Sequence, residues 1–166
     1  MPRHSITWLI TDTHFFHDEM VKFCGRPHNF TELILTNLKH LVAEQDLLIH
    51  LGDVIFYQYP KLNGLMNSIK GRKVLTLGNH DRKSPRWYMN NGGFDFAAEL
   101  FQIDDTIFSH RPISPLPSGV RLNIHGYWHN TYHHKIPEFY NVEQYRLLSI
   151  EKTNYKPVNL LKFINE

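Results

Sequence analysis

Short apolar runs alternate with amphipathic segments through the first half of the chain. Three runs have the β-branched or nearly continuous apolar composition of buried strands: residues 5–11, 46–51 and 74–77. Three other segments have apolar residues at helical spacing or residues typical of helix ends: residues 31–43, 61–69 and 85–91. Asn29 and Thr31 are the candidate N-caps of the first helix. This alternation predicts an α/β fold, in which ligands gather at the carboxyl edge of a sheet.

The second half of the chain has a different pattern. Short runs follow one another closely from residue 94 onward and predict further strands: residues 99–103, 106–109, 120–125, 145–150 and 157–163. No internal repeat or low-complexity linker separates the two halves, so residues 1–166 are predicted to form one domain. A chain of this length buries roughly two-thirds of its unfolded surface, so it needs no disulfide for stability.

Polar side chains that can bind a metal follow five of the predicted strands. The blocks are Asp12-Thr13-His14, Gly52-Asp53, Gly78-Asn79-His80-Asp81, His110 and Gly126-Tyr127-Trp128-His129. A single block such as Asp-x-His is a weak signal, because the same residues are common in surface turns. Their shared position after strands is what points to a site. His50 lies inside a predicted strand, where we expect a buried, hydrogen-bonded structural role rather than metal binding.

Composition narrows the class of site and partner. The chain has 18 Lys and Arg against 16 Asp and Glu, a balance too even to indicate a strong nucleic-acid-binding patch, and it has no membrane-spanning segment. The single cysteine, Cys24, and the lack of a signal-peptide pattern make a cytoplasmic location the expectation. The chain also has 12 histidines, more than caps and surface positions usually need, which favours metal binding.

The candidate ligands are oxygen and nitrogen atoms, with no thiolate among them. That set disfavours a structural zinc site of the cysteine type and suits Mn, Fe, Zn, Co or Ni. Two divalent ions about 3.5–4 Å apart that share a carboxylate clamp the attacking and departing oxygens of phosphoryl transfer. Asp53 is the natural bridging carboxylate for such a pair.

The five blocks, in this order, resemble the calcineurin-like metallophosphoesterase family. They span residues 12–129, and residues 12–17 with Arg26-Pro27 look like the small bacterial and phage members. The resemblance implies a four-layer α/β sandwich, with two central mixed β-sheets flanked by helices. It also implies a cofactor of two divalent ions, with Mn as the first expectation, at the carboxyl ends of the strands.

The resemblance further implies a role for each block. One ion would be held by Asp12, His14, Asp53 and His129, and the other by Asp53, Asn79 and His110. A hydroxide between the ions would attack phosphorus, and His80 would protonate the leaving oxygen while Asp81 or another carboxylate orients its ring. Arg26 and Arg111 are candidate phosphate-binding cations, with a structural or surface role as the alternative for each.

One position departs from the family pattern. The family usually has Gly-His-x-His in the last block, whereas this chain has Gly126-Tyr127-Trp128-His129. The phenol of tyrosine has an ordinary pKa of about 10 and is a poor ligand for a divalent ion near neutral pH. The second metal site is therefore expected to be weaker, differently selective, or completed by water or substrate. Tyr127 becomes a candidate hydrogen-bond donor to the substrate.

Two functions of different classes follow. The first is metal-dependent hydrolysis of a phosphodiester or phosphomonoester, on a small phosphorylated or nucleotide substrate. The alternative is a catalytically weak or inactive member that serves as a protein-interaction scaffold, which Tyr127 favours slightly. Retention of Asn79 and His80 favours the enzyme, because a scaffold has no physical need for a general acid beside a metal site.

Overall fold

Two mixed β-sheets form the centre of the protein, a computed structural model that describes residues 3–130 and 135–165. The strands in these residues are β1 (Thr7–Ile10), β2 (Leu47–His50), β3 (Arg72–Thr76), β4 (Phe96–Ala98), β5 (Leu100–Ile103), β6 (Thr106–Ser109), β7 (Leu122–His125), β8 (Tyr145–Leu147) and β9 (Val158–Asn159). The first sheet has the order β4-β3-β2-β1-β9, parallel except for β9. The second has the order β5-β6-β7-β8, parallel except for β5.

The helices lie mainly on one side of the first sheet. They are α1 (Met20–Cys24), α2 (Phe30–Leu41), α3 (Tyr59–Asn67), α4 (Pro85–Asn91) and α5 (Leu160–Asn165), with a 3-10 helix at Ile150–Thr153. Ile34, Leu62 and Tyr88 from α2, α3 and α4 belong to one buried cluster with Leu48 and Leu75 of the sheet. The longest helix in the described residues, α2, has 12 residues, and none there is long and apolar enough to cross a bilayer.

A second buried cluster lies between the two sheets. Leu9 and Ile49 of the first sheet pack there with Phe108 and Ile124 of the second. Ile49 faces this cluster while its neighbour Leu48 faces the helices, because successive side chains of a strand point to opposite faces. The predicted α/β class with two central mixed sheets and helices is confirmed.

The C-terminal segment differs from the prediction. Residues 157–163 were expected to be a strand, but only β9 is extended, and α5 follows it directly. Leu160, Phe163 and Ile164 pack against the cluster between the sheets at helical spacing, and Asn159 Oδ1 accepts a hydrogen bond from Lys162 N at 3.2 Å. A short apolar run fits a strand or a helix equally well, so tertiary packing decides. Helix α1 and strand β4 also lie where no element was expected.

The parallel pairing directs five loops to one edge of the molecule. Ile10 pairs with His50 and His50 with Leu75, so β1, β2 and β3 end side by side. In the second sheet Ser109 pairs with His125 at the ends of β6 and β7.

His50 is buried, with Nε2 2.9 Å from Thr13 Oγ1 and Nδ1 accepting from Gly52 N, which confirms its structural role. Burial lowers the pKa of His50 to about 3, so the ring is neutral.

Asp46, just before β2, anchors the N-terminal segment to the first sheet. Its buried carboxylate accepts hydrogen bonds from the backbone N of Ala43 and Ile6 and from Trp8 Nε1, each at 2.9 Å, and it pairs with Arg3. Burial opposes ionisation, but these four donors outweigh it and lower the pKa of Asp46 to about 2. The carboxylate is therefore a pH-dependent source of stability.

Asp46→Asn is expected to lower the free energy of unfolding by about 1–3 kcal/mol near neutral pH. Because the folded-state pKa lies below the ordinary 3.8, the ionised carboxylate stabilises fully above that value and loses its contribution as pH falls toward about 2. Urea unfolding at about pH 7 and about pH 3 measures the difference between variant and wild type, which should shrink at the lower pH. Asp104→Asn, at an exposed turn, is the control. An equal difference at both pH values would contradict the assignment.

Candidate active site

The loops after five strands bring all six predicted metal ligands together. Asp12 and His14 follow β1, and the others follow β2, β3, β6 and β7: Asp53, Asn79, His110 and His129. His14 Nε2 lies 3.5 Å from Asp53 Oδ2, and His129 Nε2 lies 3.4 Å from Asp12 Oδ1. His110 Nε2 lies 3.3 Å from Asp53 Oδ2 and 3.1 Å from Asn79 Oδ1.

The ligand atoms form two groups suited to a metal ion. One contains Asp12, His14 and His129 and the other Asp12, Asp53 and His110, with the atoms of each group within 4.8 Å of one another. Asp12 belongs to both groups, and Asp53 Oδ2 lies between His14 and His110, so both carboxylates are placed to bridge.

Two buried atoms of the cluster lack a hydrogen-bond partner, although charged side chains lie within 3.5 Å of each. Within the described residues, Asp12 Oδ1 and His14 Nε2 are inaccessible to solvent and accept or donate no hydrogen bond. An unsatisfied buried polar group costs about 1–3 kcal/mol, so such atoms are rare without a reason. A divalent cation would satisfy both, and the oxygen and nitrogen donor set fits one.

The backbone holds these side chains in an uncommon conformation. Five site residues have φ between 45° and 74°: Asp12, His14, Asp53, Tyr127 and His129. Residues other than glycine adopt positive φ at a cost of roughly 1–2 kcal/mol each. Strain of this kind persists where the surrounding structure enforces it, and it clusters at functional sites.

Two motif glycines let the loops approach one another. A Cβ atom at Gly78 would overlap the Asp53 carboxylate, and one at Gly126 would overlap Thr11 Oγ1 and the Asp12 carboxylate. Any larger residue at either position would displace a ligand carboxylate. The glycine of each block is therefore part of the geometry of the site.

Burial and the carboxylates set the charges of the histidines. Burial lowers the pKa of His14 well below its ordinary value, against the pull of Asp53, so this ring is neutral and ready to bind a cation. Burial also disfavours the charged form of His110, but Asp12 and Asp53 outweigh it and raise the pKa of His110 to about 9. In the same way, Asp12 and Glu151 outweigh burial at His129 and raise its pKa to about 10. The carboxylates that hold protons on these rings would equally attract a divalent ion.

His80 and Asp81 have different environments. His80 is half-buried, its backbone N donates to Asp53 Oδ1 at 2.8 Å, and its ring centroid lies 5.3 Å from that of His14. Asp81 is buried, and its carboxylate accepts from the backbone N of Asp53, Gly78 and Val54 at 2.6, 2.8 and 3.1 Å. Burial and the charge of Asp53 raise the pKa of Asp81 to about 6. No described hydrogen bond joins Asp81 to the His80 ring, so it braces the two loops rather than orienting the imidazole.

Arg26 lies beneath the site and away from its cavity. It is 2% exposed, and its guanidinium donates to the carbonyl oxygens of Asp12 and Thr13 at 2.7 and 2.9 Å and to Glu151 Oε1 at 2.6 and 2.9 Å. Of the two roles predicted for Arg26, phosphate binding and a structural role, these contacts favour the structural one: the guanidinium fixes the backbone that carries Asp12 and His14.

The sequence patterns did not single out Glu151, although it directly follows a predicted strand. Its Oε1 lies 3.2 Å from His129 Nδ1, and its Oε2 accepts from Ser149 Oγ at 2.9 Å. Burial raises the pKa of Glu151, but His129 and Arg26 outweigh it and lower the pKa to about 2. The ionised carboxylate thereby holds the His129 ring so that Nε2 faces Asp12.

Glu151→Gln is expected to weaken metal binding by about 10–100-fold, as loss of a carboxylate behind a ligand histidine typically does. Calorimetric titration of the full chain with Mn²⁺ measures the dissociation constant. Glu143→Gln, at an exposed position, should leave it unchanged. An unaltered constant in Glu151→Gln would show that this carboxylate does not orient His129.

His17 is the second residue that the sequence patterns left without a role. Its Nδ1 lies 3.4 Å from His14 Nδ1, its Nε2 lies 3.5 Å from Glu19, and its ring stacks on Phe56 with centroids 3.6 Å apart. Its position three residues after His14, on the same loop, was the available signal. His17 supports the side of His14 that faces away from the carboxylates.

Tyr127 and Arg111 lie together beside the metal ligand candidate His110. The Tyr127 ring packs edge-on against His110 with centroids 5.5 Å apart, and its backbone N donates to Asp12 Oδ2 at 3.1 Å. The exposed Arg111 places its guanidinium carbon 4.1 Å from the centre of the Tyr127 ring. The phenol thus occupies the space beside His110 and holds a cation over it.

Tyr127→His is expected to raise the amount of the second metal bound, because it puts an imidazole beside His110. Elemental analysis after equilibration with Mn²⁺ gives the number of ions per chain. Tyr140→His, whose ring lies beside His125 rather than His110, serves as the control. An unchanged stoichiometry would show that Tyr127 does not limit the second site.

A cavity of about 670 Å³ opens over the cluster, a volume suited to a small ligand. Its floor includes His14, Asp53, Asn79, His80 and His129, and Met20, Phe23 and Phe56 contribute an apolar wall. The ligand cluster and the proposed proton donor therefore face one accessible space.

Comparisons with known proteins agree with this arrangement. The family model of the calcineurin-like phosphoesterases matches residues 7–165. An uncharacterized protein of Methanocaldococcus jannaschii is 30% identical over 166 residues, which cover 92% of this chain and 86% of that protein. The crystal structure of a protein of unknown function from Aquifex aeolicus matches with a TM-score of 0.77 at 23% identity, covering 98% of this chain and 99% of the other. This last likeness concerns the fold alone.

Proposed function

Because the chain belongs to the calcineurin-like phosphoesterase family, we propose that it is a metal-dependent hydrolase of small phosphomonoesters or phosphodiesters. The family match confirms the resemblance seen in the five sequence blocks. The observation that carries the proposal is a pair of buried atoms without a hydrogen-bond partner, Asp12 Oδ1 and His14 Nε2, inside a cluster of metal-competent groups that faces a cavity.

The cluster supports a proposal for the metal-binding residues. One ion would be held by Asp12, His14, Asp53 and His129, and a second by Asp53, Asn79 and His110, with Mn²⁺ as the first candidate. Divalent ions at these positions supply Lewis acidity toward phosphate oxygens and water. With Tyr127 rather than a histidine beside His110, the second ion would be the more weakly held.

The remaining polar residues act on the substrate. His80 is the general acid, because its half-buried imidazole lines the cavity while its backbone is fixed by Asp53. Arg111 and Tyr127, next to His110, bind phosphate or the leaving group through the guanidinium fork and the phenol.

A comparison of leaving groups tests the role of His80. p-Nitrophenolate leaves without protonation, whereas phenolate needs a proton donor. His80→Ala should therefore lower kcat for phenyl phosphate by about 10²–10⁴-fold with Mn²⁺ present, and for p-nitrophenyl phosphate by much less. His28→Ala, an exposed histidine, is the control. Equal, background-level rates in wild type, His80→Ala and Asp53→Asn, for these monoesters and for bis(p-nitrophenyl) phosphate, would overturn the proposal and favour the scaffold alternative.

A further inference from the structure

A second cavity of about 460 Å³ adjoins the first at Asn79, which lines both. His110 and Arg111 also line it, so the second cavity reaches two of the candidate metal ligands, whereas Met20, Phe23 and Phe56 line only the first. A substrate bound at Asn79 and His110 could therefore extend into either space.

Three cationic side chains line this second cavity: Arg82, Lys83 and Arg111. All are exposed, and in the described parts of the chain none forms an ion pair with a carboxylate. Two acidic residues also line the cavity, but the Asp81 carboxylate is occupied by backbone N–H groups, which leaves the exposed Glu99. Cations prevail here, although the whole chain has a formal charge of only +2.

Each cation lies over an aromatic ring. The guanidinium carbon of Arg82 is 5.5 Å from the centre of the Tyr57 ring, and Lys83 Nζ is 5.3 Å from that of Tyr59. Arg111 lies 4.1 Å from Tyr127 in the same way. A ring attracts a cation without neutralising it, so these side chains are restrained but keep their charge and their hydrogen-bond donors for a ligand.

We propose that this basic cavity, formed by Arg82, Lys83 and Arg111, binds a second phosphate group of the substrate. The inference rests on the proposed function, since it places the phosphate that is cleaved at Asn79 and His110. It narrows the substrate class to small molecules with two phosphate groups, such as nucleoside diphosphates and phosphodiesters that carry a second phosphate group. Guanidinium and ammonium donors make the charge-assisted hydrogen bonds that a phosphate dianion requires.

Binding of two non-hydrolysable probes tests the inference. Calorimetry on the full chain, with Mn²⁺ and after chelation, compares methylenediphosphonate with methylphosphonate. The wild-type protein should bind methylenediphosphonate more tightly than methylphosphonate, both with Mn²⁺ and after chelation. The double variant Arg82→Gln, Lys83→Gln should lose about tenfold or more of that preference, the effect of roughly one charge-assisted hydrogen bond. Arg86→Gln with Lys39→Gln removes two exposed charges outside the cavity and should keep the preference.

The outcomes separate the two proposals. Loss of the preference in the control double variant, or no preference in wild type, would overturn the second-phosphate site. Tighter binding of a single-stranded oligonucleotide than of methylenediphosphonate, with a larger loss in the cavity variant, would overturn it in favour of a nucleic-acid surface. A retained preference in a chain that hydrolyses no phosphoester would overturn the proposed function and support the anion site.

Discussion

Asp53→Asn is expected to lower Mn²⁺-dependent kcat/KM for p-nitrophenyl phosphate by about a thousandfold, or about 4 kcal/mol of transition-state stabilisation. Asp53 lies between one histidine of each ligand group: Oδ2 is 3.5 Å from His14 Nε2 and 3.3 Å from His110 Nε2, while Oδ1 accepts from His80 N. An amide keeps the shape of the side chain but removes the charge that would hold a cation near the two histidines. Loss of metal and loss of rate should therefore occur together.

Two measurements on the same preparations check this expectation. Steady-state hydrolysis gives kcat/KM, and elemental analysis gives the number of ions per chain. Asp104→Asn makes the same chemical change in an exposed turn and should behave as wild type. An Asp53→Asn protein with full metal content and wild-type rates would show that this carboxylate bridges nothing.

Arg26→Met is expected to lower the free energy of unfolding by about 3–5 kcal/mol, the effect of removing one partner from a buried ion pair. The guanidinium is 2% exposed and bonds Glu151 and the carbonyl oxygens of Asp12 and Thr13. Its loss leaves the Glu151 charge with only His129 and Ser149 and frees two backbone acceptors. Phosphate binding and a structural role are the two alternatives for Arg26, and the effect on stability separates them.

Urea unfolding in the absence of metal measures this effect directly. Arg121→Met breaks the exposed pair with Asp105 and should cost no more than about 1 kcal/mol. Arg26→Lys should restore little of the lost stability, because an ammonium cannot reproduce the guanidinium fork across Glu151 and two carbonyl groups. An Arg26→Met protein as stable as Arg121→Met would contradict the structural role.

The strand ends are what the sequence predicts best. Asp12, Asp53 and Asn79 follow short apolar runs, and parallel pairing of those runs places the three residues at one edge, as expected. Helix α4 and strand β6 have the predicted bounds, because proline, glycine and turn residues mark their ends. The C-terminal run was misjudged since its few apolar residues fit two periodicities and only their packing distinguishes helix from strand.

Contacts between segments far apart in the chain could not be predicted from the sequence pattern. Glu151 meets Arg26 across 125 positions of the chain and His129 across 22, and no local pattern records such pairs. The sequence leaves the roles of Arg26 and Asp81 open for the same reason: each has the chemistry of a site residue, but burial and backbone partners decide what it does. The positive φ angles of Asp12 and Asp53 are likewise a consequence of the assembled site.

Anomalous diffraction from crystals grown with Mn²⁺ and phosphate is the most direct test of the metal-dependent site. We expect a strong manganese peak among Asp12, His14, Asp53 and His129, a weaker one near Asp53, Asn79 and His110, and phosphate in the cavity beside His80. Crystals grown at saturating Mn²⁺ that show no anomalous peak among these residues would contradict the proposal of a metal-dependent site.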